Sequence, residues 1–417
     1  MLQYLWLAGL ALMFMPDINL SRPTDVGSLQ PSDRVLLLLL PALLIGPGRA
    51  VRLPARVRTA FWLFLGVALL SVLASPLRYP DADSVMLYRG LTKLAKFAIY
   101  ALIGPLVARR ILSDDDYRRA VSALVVGGFI AACSLMLTAY QRWEPGGASF
   151  SKWDFLYQAS NSLSVTLAAL VCLLFGLWYT DAASPPKLVG RIAVLLALVI
   201  GLIITGGRGG WLAAAIGLAY VAATGRPTLR SVVMAVSVGV VAAGMAMTIP
   251  QVRGRIERIS DPTTASQAVQ QTGFSDEGRL YALTQELPKL WDAPIVGVGF
   301  FNRGDPTELD PTGSHNFFAQ MALETGLLGL SILLWLFWGL WKVKSPPEFK
   351  RPLAAFHATV VVICVACLSG EYLYGGLNLM LLSVLYCSTI ALVQRGAMRA
   401  TVPIPSPTRA AVRSPAS

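Results

Sequence analysis

Apolar residues run through this chain in long unbroken blocks, without the alternation of half-buried strands or the narrow stripes of surface helices. Residues 120–136, 164–179, 192–205 and 232–249 each approach the roughly 20 residues an α-helix needs to cross a bilayer core of about 30 Å. Counting such blocks predicts about twelve crossings, centred near Gly9, Leu40, Gly66, Tyr100, Gly128, Ala169, Ala197, Gly217, Gly239, Ile332, Cys364 and Leu385. The first two blocks are short enough to form an interfacial or re-entrant pair, which would lower the count by two and leave the parity unchanged. The expected fold is an all-α polytopic membrane protein. Residues 1–249 hold crossings one to nine, 250–314 form one long loop containing short helices, 315–395 hold crossings ten to twelve, and 396–417 form a disordered tail rich in Pro, Ala, Ser and Arg.

Composition agrees with the pattern. The 417 residues are 55% hydrophobic and 14% charged, with a mean hydropathy of +0.59, whereas soluble chains run near a quarter charged. A soluble enzyme is excluded. The net charge of +12 would suit nucleic acid only if the basic residues gathered on one soluble face, and they lie instead in short loops, so no nucleic-acid partner is expected. Cys133, Cys172, Cys364, Cys367 and Cys387 all fall in apolar blocks and read as small hydrophobes, the CxxC spacing of Cys364 and Cys367 included. The segment 1–15 has neither a basic start nor an Ala-x-Ala cleavage signal, and reads as a retained first helix.

Basic residues resist translocation and so mark cytoplasmic loops. Alternate loops and the tail carry twenty of them: Arg49, Arg52, Arg56, Arg58, Arg109, Arg110, Arg118, Arg119, Lys187, Arg191, Arg226, Arg230, Lys342, Lys344, Lys350, Arg351, Arg395, Arg399, Arg409 and Arg413. The intervening short loops carry nine: Arg22, Arg34, Arg78, Arg89, Lys93, Lys96, Arg142, Lys152 and Arg208. Both termini are therefore expected in the cytoplasm, and the 250–314 loop on the outer face. That loop holds nine acidic and six basic residues with Pro, Gly and Asp punctuation, and long structured loops on a rigid scaffold are where function concentrates.

His315 stands where the loop meets the tenth crossing. In a continuous helix, offsets of 4, 7, 11 and 14 residues bring Ala319, Ala322, Gly326 and Gly329 within about 40° of its direction. The expectation is a small-residue seam below a histidine whose ordinary pKa, near 6.5, suits it to take a proton from a sugar hydroxyl. The alternative is an interfacial histidine at a helix start. Arg208 lies in Thr205-Gly206-Gly207-Arg208-Gly209-Gly210, a hinge between two apolar blocks. Its glycines remove bulk around a guanidinium able to fork onto a phosphate, although on these residues alone a snorkelling loop arginine reads slightly better.

Arg279 follows the helix-start signature Ser275-Asp276-Glu277-Gly278 and precedes a stripe of Leu280, Leu283, Leu287, Leu290 and Trp291, which predicts a surface-lying helix kinked at Pro288. Asp305, Glu308 and Asp310 could ligate a hard cation but read better as solvated loop, so neither metal nor cofactor is expected. Gly297-Val298-Gly299 lacks the third glycine of a dinucleotide fingerprint. His357 reads as structural. Glu324 points away from His315 at membrane depth, where a carboxylate is costly without a partner, and Gln320 is its one local candidate.

Taken together, His315-Asn316, nine residues, then Gly326-Leu327-Leu328-Gly329, with the outward Arg208 and the Arg279 segment followed by Pro294-Ile295-Val296-Gly297-Val298-Gly299, resemble the O-antigen ligase family of bacterial inner-membrane glycosyltransferases. The motifs lie between residues 205 and 330, and Gly207 stands where the family often has serine. The resemblance implies a GT-C-like helical fold with a periplasmic active site. It also implies transfer of O-antigen polysaccharide from undecaprenyl pyrophosphate to lipid A core oligosaccharide. By motif position His315 would be the base, Arg208 and Arg279 the pyrophosphate-binding residues, and Asn316, Gly326 and Gly329 supporting positions. An O-antigen polymerase or a protein O-oligosaccharyltransferase could use the same equipment. A transporter of polyprenyl-linked sugars is the non-enzyme rival, which repeated halves and broken helices would favour and which the gathering of candidate residues at one face disfavours.

Overall fold

The computed structural model describes residues 5–12, 39–44, 48–78, 84–141, 160–178, 185–205, 207–225, 240, 244, 287–300, 316–370, 372–373 and 376–401. His315, Arg279, Asp305, Glu308, Asp310, nearly all of the ninth block and the tail beyond 401 lie outside them. Among the described residues the regular structure is helical and there is no strand. The helices are α1 (Leu5–Leu12), α2 (Ala55–Arg78), α3 (Ser84–Arg110), α4 (Asp114–Gln141), α5 (Ser160–Trp178), α6 (Pro185–Ile204), α7 (Arg208–Gly225), α8 (Phe317–Trp341), α9 (Lys350–Cys367) and α10 (Leu377–Thr401). Every inferred centre among the described residues falls inside a helix, Leu40 in the short helical piece 39–44; Gly239 lies outside the described residues.

Among the described residues six helices are long and apolar enough to cross a membrane, and α5, α6 and α7 each contain a shorter apolar stretch. This is a multi-pass membrane protein. Leu70, Leu137, Leu212 and Trp338 are more than half exposed, as residues facing lipid tails would be. The centre is α5, whose residues 163–176 are all buried, the condition of a helix apolar all round. It packs on α6, α7 and α9.

Small residues set these approaches. A Cβ at Gly176 would lie 2.8 Å from Ala355 Cβ, one at Gly201 2.8 Å from Ala132 Cβ, and one at Gly217 2.5 Å from Val362. Without a hydrophobic force between helices in lipid, such close backbone contacts are what hold them together.

The helices share one polarity of ends. Tyr220 near the end of α7 packs on Trp341 at the end of α8, and Trp341 stacks on His357 in α9 with ring centroids 4.7 Å apart. Gly396 of α10 abuts Phe349, Arg49 N donates to Arg109 O, and Arg52 N donates to Gln394 Oε1. This end therefore gathers Arg49, Arg52, Arg56, Arg58, Arg109, Arg110, Lys342, Lys344, Lys350, Arg351 and Arg395. The start of α7 lies at the opposite end, whereas the first half of α8 folds back on the second: Phe318 packs on Phe337 with ring centroids 6.2 Å apart, where an unbroken helix would hold them about 28 Å apart.

One charge assignment is corrected. Arg89, Lys93 and Lys96, counted above as loop residues, lie within α3, whose membrane-compatible stretch runs from Leu87 to Arg110.

Candidate active site

At the end opposite the basic residues, Gly201 to Trp211 forms a tight hairpin. Thr205 N and Oγ1 turn back to Gly201 O and Leu202 O, at 3.0 and 2.6 Å. Gly207 O then accepts from Gly210 N and Trp211 N, which starts α7 at Arg208, while Trp211 Nε1 reaches across to Leu202 O at 2.9 Å. Arg208 is thus the first residue of an 18-residue helix. A helix start already carries positive dipole charge, so a cation there costs stability and raises the local attraction for an anion.

The neighbouring glycines serve packing. A Cβ at Gly209 would lie 2.3 Å from Ser369 Oγ, and one at Gly210 2.5 Å from Ser164 Oγ. The bulk they remove makes room for the starts of α5 and the turn after α9, where the sequence had suggested room for a ligand.

That turn is anchored by a residue sequence reasoning missed. Asn378, fully buried at the start of α10, donates from Nδ2 to Ser162 O, Ser162 Oγ and Tyr372 O and accepts from Thr166 Oγ1 at 2.8 Å. Its signal was visible only as an amide inside an apolar block.

Asn316 caps α8. Its Oδ1 accepts from Phe318 N at 3.0 Å and Ala319 N at 3.1 Å, so the histidine's neighbour is the capping residue and α8 begins at Phe317. The seam expected below it is corrected as well. Gly326 has φ 70° and ψ 179°, which breaks α8 in its middle, so Gly326 and Gly329 do not continue the line of Ala319 and Ala322.

The break is filled by 294–299. Leu327 N donates to Pro294 O at 2.8 Å and Leu328 N to Ile295 O at 3.4 Å, while Val298 N donates to Leu323 O at 2.9 Å and Gly299 N to Glu324 O at 3.1 Å. Part of the long loop thus enters the bundle and replaces the bonds α8 gives up, the one circumstance in which irregular backbone is stable at such depth. Glycine is required on both sides. Gly297 and Gly299 have φ of 77° and 125°, a Cβ at Gly297 would lie 2.3 Å from Glu324 C, and one at Gly326 2.0 Å from Ile295 O.

Phe300, fully buried, then packs edge-on against Phe64 and Phe97 at centroid distances of 6.4 and 5.9 Å. Just before the insertion, Leu287–Asp292 is a 3-10 turn, so the part of the expected surface helix beyond Pro288 is not α-helical; the part before Leu287 lies outside the described residues.

Glu324 is 1% exposed, and Gln320 Nε2 donates to its Oε1 at 2.6 Å, the partnership foreseen from one-turn spacing. Its backbone O also accepts from Ser71 Oγ. His357 is stacked and nearly buried, as a structural residue would be. The five cysteines are unpaired thiols. No group of metal-ligating side chains occurs among the described residues. Two open grooves, of about 540 Å³ beside α1 and α4 and 360 Å³ between α8 and α9, include none of the candidate residues.

Residues 192–334 match the family model described as O-antigen ligase. Over this third of its length the chain is similar to the O-antigen ligase family. The matched stretch runs from within α6, through the Arg208 hairpin and the inserted glycine segment, to the second half of α8. No curated protein matches the chain.

Proposed function

We propose that this protein is an O-antigen ligase. It transfers O-antigen polysaccharide from undecaprenyl pyrophosphate to lipid A core oligosaccharide at the periplasmic face of the bacterial inner membrane. The observation that carries this reading is the family match over 192–334, which contains Arg208, Arg279 and His315 in that order. Its support from geometry is that the start of α7 lies at the end opposite the arginine-rich one. Assigning the arginine-rich end to the cytoplasm puts Arg208 on the periplasmic side, and in this reading His315 acts from that side and both termini are cytoplasmic.

In this reading the fold is GT-C-like with about twelve crossings, the 250–314 segment is the periplasmic loop, and 396–417 is a cytoplasmic tail. A pyrophosphate leaves readily once its charge is stabilised, and Arg208, reinforced by the α7 start, and Arg279 supply that stabilisation without a metal. His315 takes the proton from the acceptor hydroxyl. One displacement at the anomeric carbon then inverts its configuration. Asn316 fixes where α8 begins, and Gly326 admits the segment that ties the loop to α8. A polymerase or protein O-oligosaccharyltransferase differs from this only in acceptor.

A transporter remains the rival from another class, favoured by the interrupted α8 and the buried Glu324, both features of transport proteins. Ligation in detergent separates the two, because a transporter makes no product. Purified protein with EDTA, lipid-linked glycan and lipid A core should give a slower-migrating lipopolysaccharide. His315→Ala should abolish that product while donor binding persists. Full activity in this variant would refute the assignment.

A further inference from the structure

The start of α7 is gripped between two walls. On one side a Cβ at Gly210 would lie 2.5 Å from Ser164 Oγ of α5. On the other, a Cβ at Gly209 would lie 2.3 Å from Ser369 Oγ and 3.5 Å from the Tyr372 hydroxyl, both in the turn after α9. That turn is itself tight: a Cβ at Gly370 would meet Tyr372 Cζ at 2.5 Å, and Ser369 Oγ donates back to Ala366 O at 3.0 Å. Neither Gly209 nor Gly210 has a side chain that could take up a change in the spacing of the walls. Arg208 is the residue just before this grip, so the direction of its backbone follows the two walls.

One side chain on a third helix joins the walls. Asn378, fully buried at the start of α10, donates from Nδ2 to Ser162 O, Ser162 Oγ and Tyr372 O at 3.3, 3.0 and 3.2 Å, and its Oδ1 accepts from Thr166 Oγ1. Ser162 and Thr166 flank Ser164 on α5, and Tyr372 carries the hydroxyl beside Gly209. These bonds end on the two segments that grip α7. Where no hydrophobic force presses helices together, polar bonds and close contacts of this kind set their spacing. A donor removed from such a site leaves buried carbonyls unpaired, which the helices can relieve only by shifting.

We propose that Asn378 is a positioning residue of the donor site: by setting the gap between α5 and the turn after α9, it aims the start of α7, and with it Arg208, at the donor pyrophosphate. This rests on the ligase reading above. An arginine head rides about 6 Å from its Cα, so a tilt of about 10° at the helix start displaces it by about 1 Å, a shift able to cost a forked phosphate contact up to about a hundredfold. Helix α8, which follows His315, shares none of the Asn378 bonds, so the effect falls on the donor and spares the acceptor.

The test titrates each substrate separately with the full-length protein in detergent. Asn378→Leu, which keeps the branched shape and removes every polar atom, should raise the donor KM about tenfold and leave the acceptor KM within about twofold. Thr166→Val, which takes one hydroxyl from the network, should move the donor KM the same way by a smaller factor, and it carries the test if the leucine variant does not fold. Gly176→Ala is the structural control, because its Cβ would lie 2.8 Å from Ala355 Cβ at the far end of the α5–α9 pair; it should lower the melting temperature and leave the donor KM in place. In an Arg208→Gln background Asn378→Leu should raise the donor KM no further, since the amide acts through that arginine. A donor KM unchanged in the variants that fold, a fall in kcat with both KM values in place, an equal rise in Gly176→Ala, or full additivity with Arg208→Gln would each overturn the proposal. Native mass spectrometry with undecaprenyl pyrophosphate alone separates this from the ligase reading. If the wild type binds that lipid and makes no product, the ligase reading falls, and the role of Asn378 is decided by whether the leucine variant loses the lipid. If the wild type neither binds nor ligates, both fall.

Discussion

The insertion of 294–299 into the broken α8 makes Gly326→Ala the sharpest perturbation available. The new Cβ would lie 2.0 Å from Ile295 O, 2.2 Å from Ile295 C and 2.6 Å from Val296 N, all backbone atoms that no side-chain rotation can move. The φ of 70° with ψ of 179° is a region essentially reserved for glycine, and holding another residue there costs about 1–3 kcal/mol. If alanine instead straightens α8, Leu327 N can return to an intrahelical partner. The loop then loses its two donations to Leu323 O and Glu324 O, and the carbonyls of Pro294 and Ile295 lose their donors. At roughly 0.5–1.5 kcal/mol for each bond, that route costs about 2–6 kcal/mol. Both routes reach a sizeable fraction of a 5–15 kcal/mol folding stability.

The assay is thermal denaturation in detergent together with amide exchange at residues 297–299 and 327–328. The variant should melt several degrees lower and exchange faster at those amides. Gly297→Ala, aimed at the same contact from the other side, should behave alike, and the double variant should fall well short of the summed losses because either change opens the same clip. Wild-type melting and exchange in Gly326→Ala would refute this account.

Two further outcomes follow from the same end of the bundle. Gly209→Ala, placing its Cβ 2.3 Å from Ser369 Oγ, should lower thermal stability by about 1–3 kcal/mol. Adding Ser369→Ala should recover most of that, and a double variant no better than the single would place the strain elsewhere. Glu324→Gln should melt near wild type because it still accepts from Gln320 Nε2, whereas Glu324→Leu leaves that buried donor unpaired and should lose about 1–3 kcal/mol; equal melting of the two variants would contradict the pairing.

What could be read from the sequence follows from what a membrane demands. A crossing must satisfy its own backbone and present apolar side chains to lipid, so the described helices announced themselves as apolar blocks, except that the first half of α3, with Arg89, Lys93 and Lys96, read as a loop. The Gln320–Glu324 pair was legible for a similar reason, since one-turn spacing brings two residues together whatever else surrounds them. Contacts between separate blocks left no such mark. Ser71 bonding to Glu324 O, Asn378 tying α5 to α10, and Gly209 against Ser369 join residues far apart in the chain, and no local period encodes them.

The break in α8 shows the difference most clearly. Gly326 and Gly329 lie at helical spacing, and a helical reading makes them a packing seam. Gly297 and Gly299 lie in a loop, and a loop reading looks there for a nucleotide. Neither glycine pair betrays that the two segments complete one another's hydrogen bonds. Positive φ at 297, 299 and 326 is a property of the joined pair, and each glycine is needed because the other strand of backbone is already there. The same logic separates the two basic sets. Arg208 was conspicuous because glycines isolate it, whereas Arg89, Lys93 and Lys96 passed as loop charges. Only the helix itself reveals that they lie within α3, a candidate membrane span.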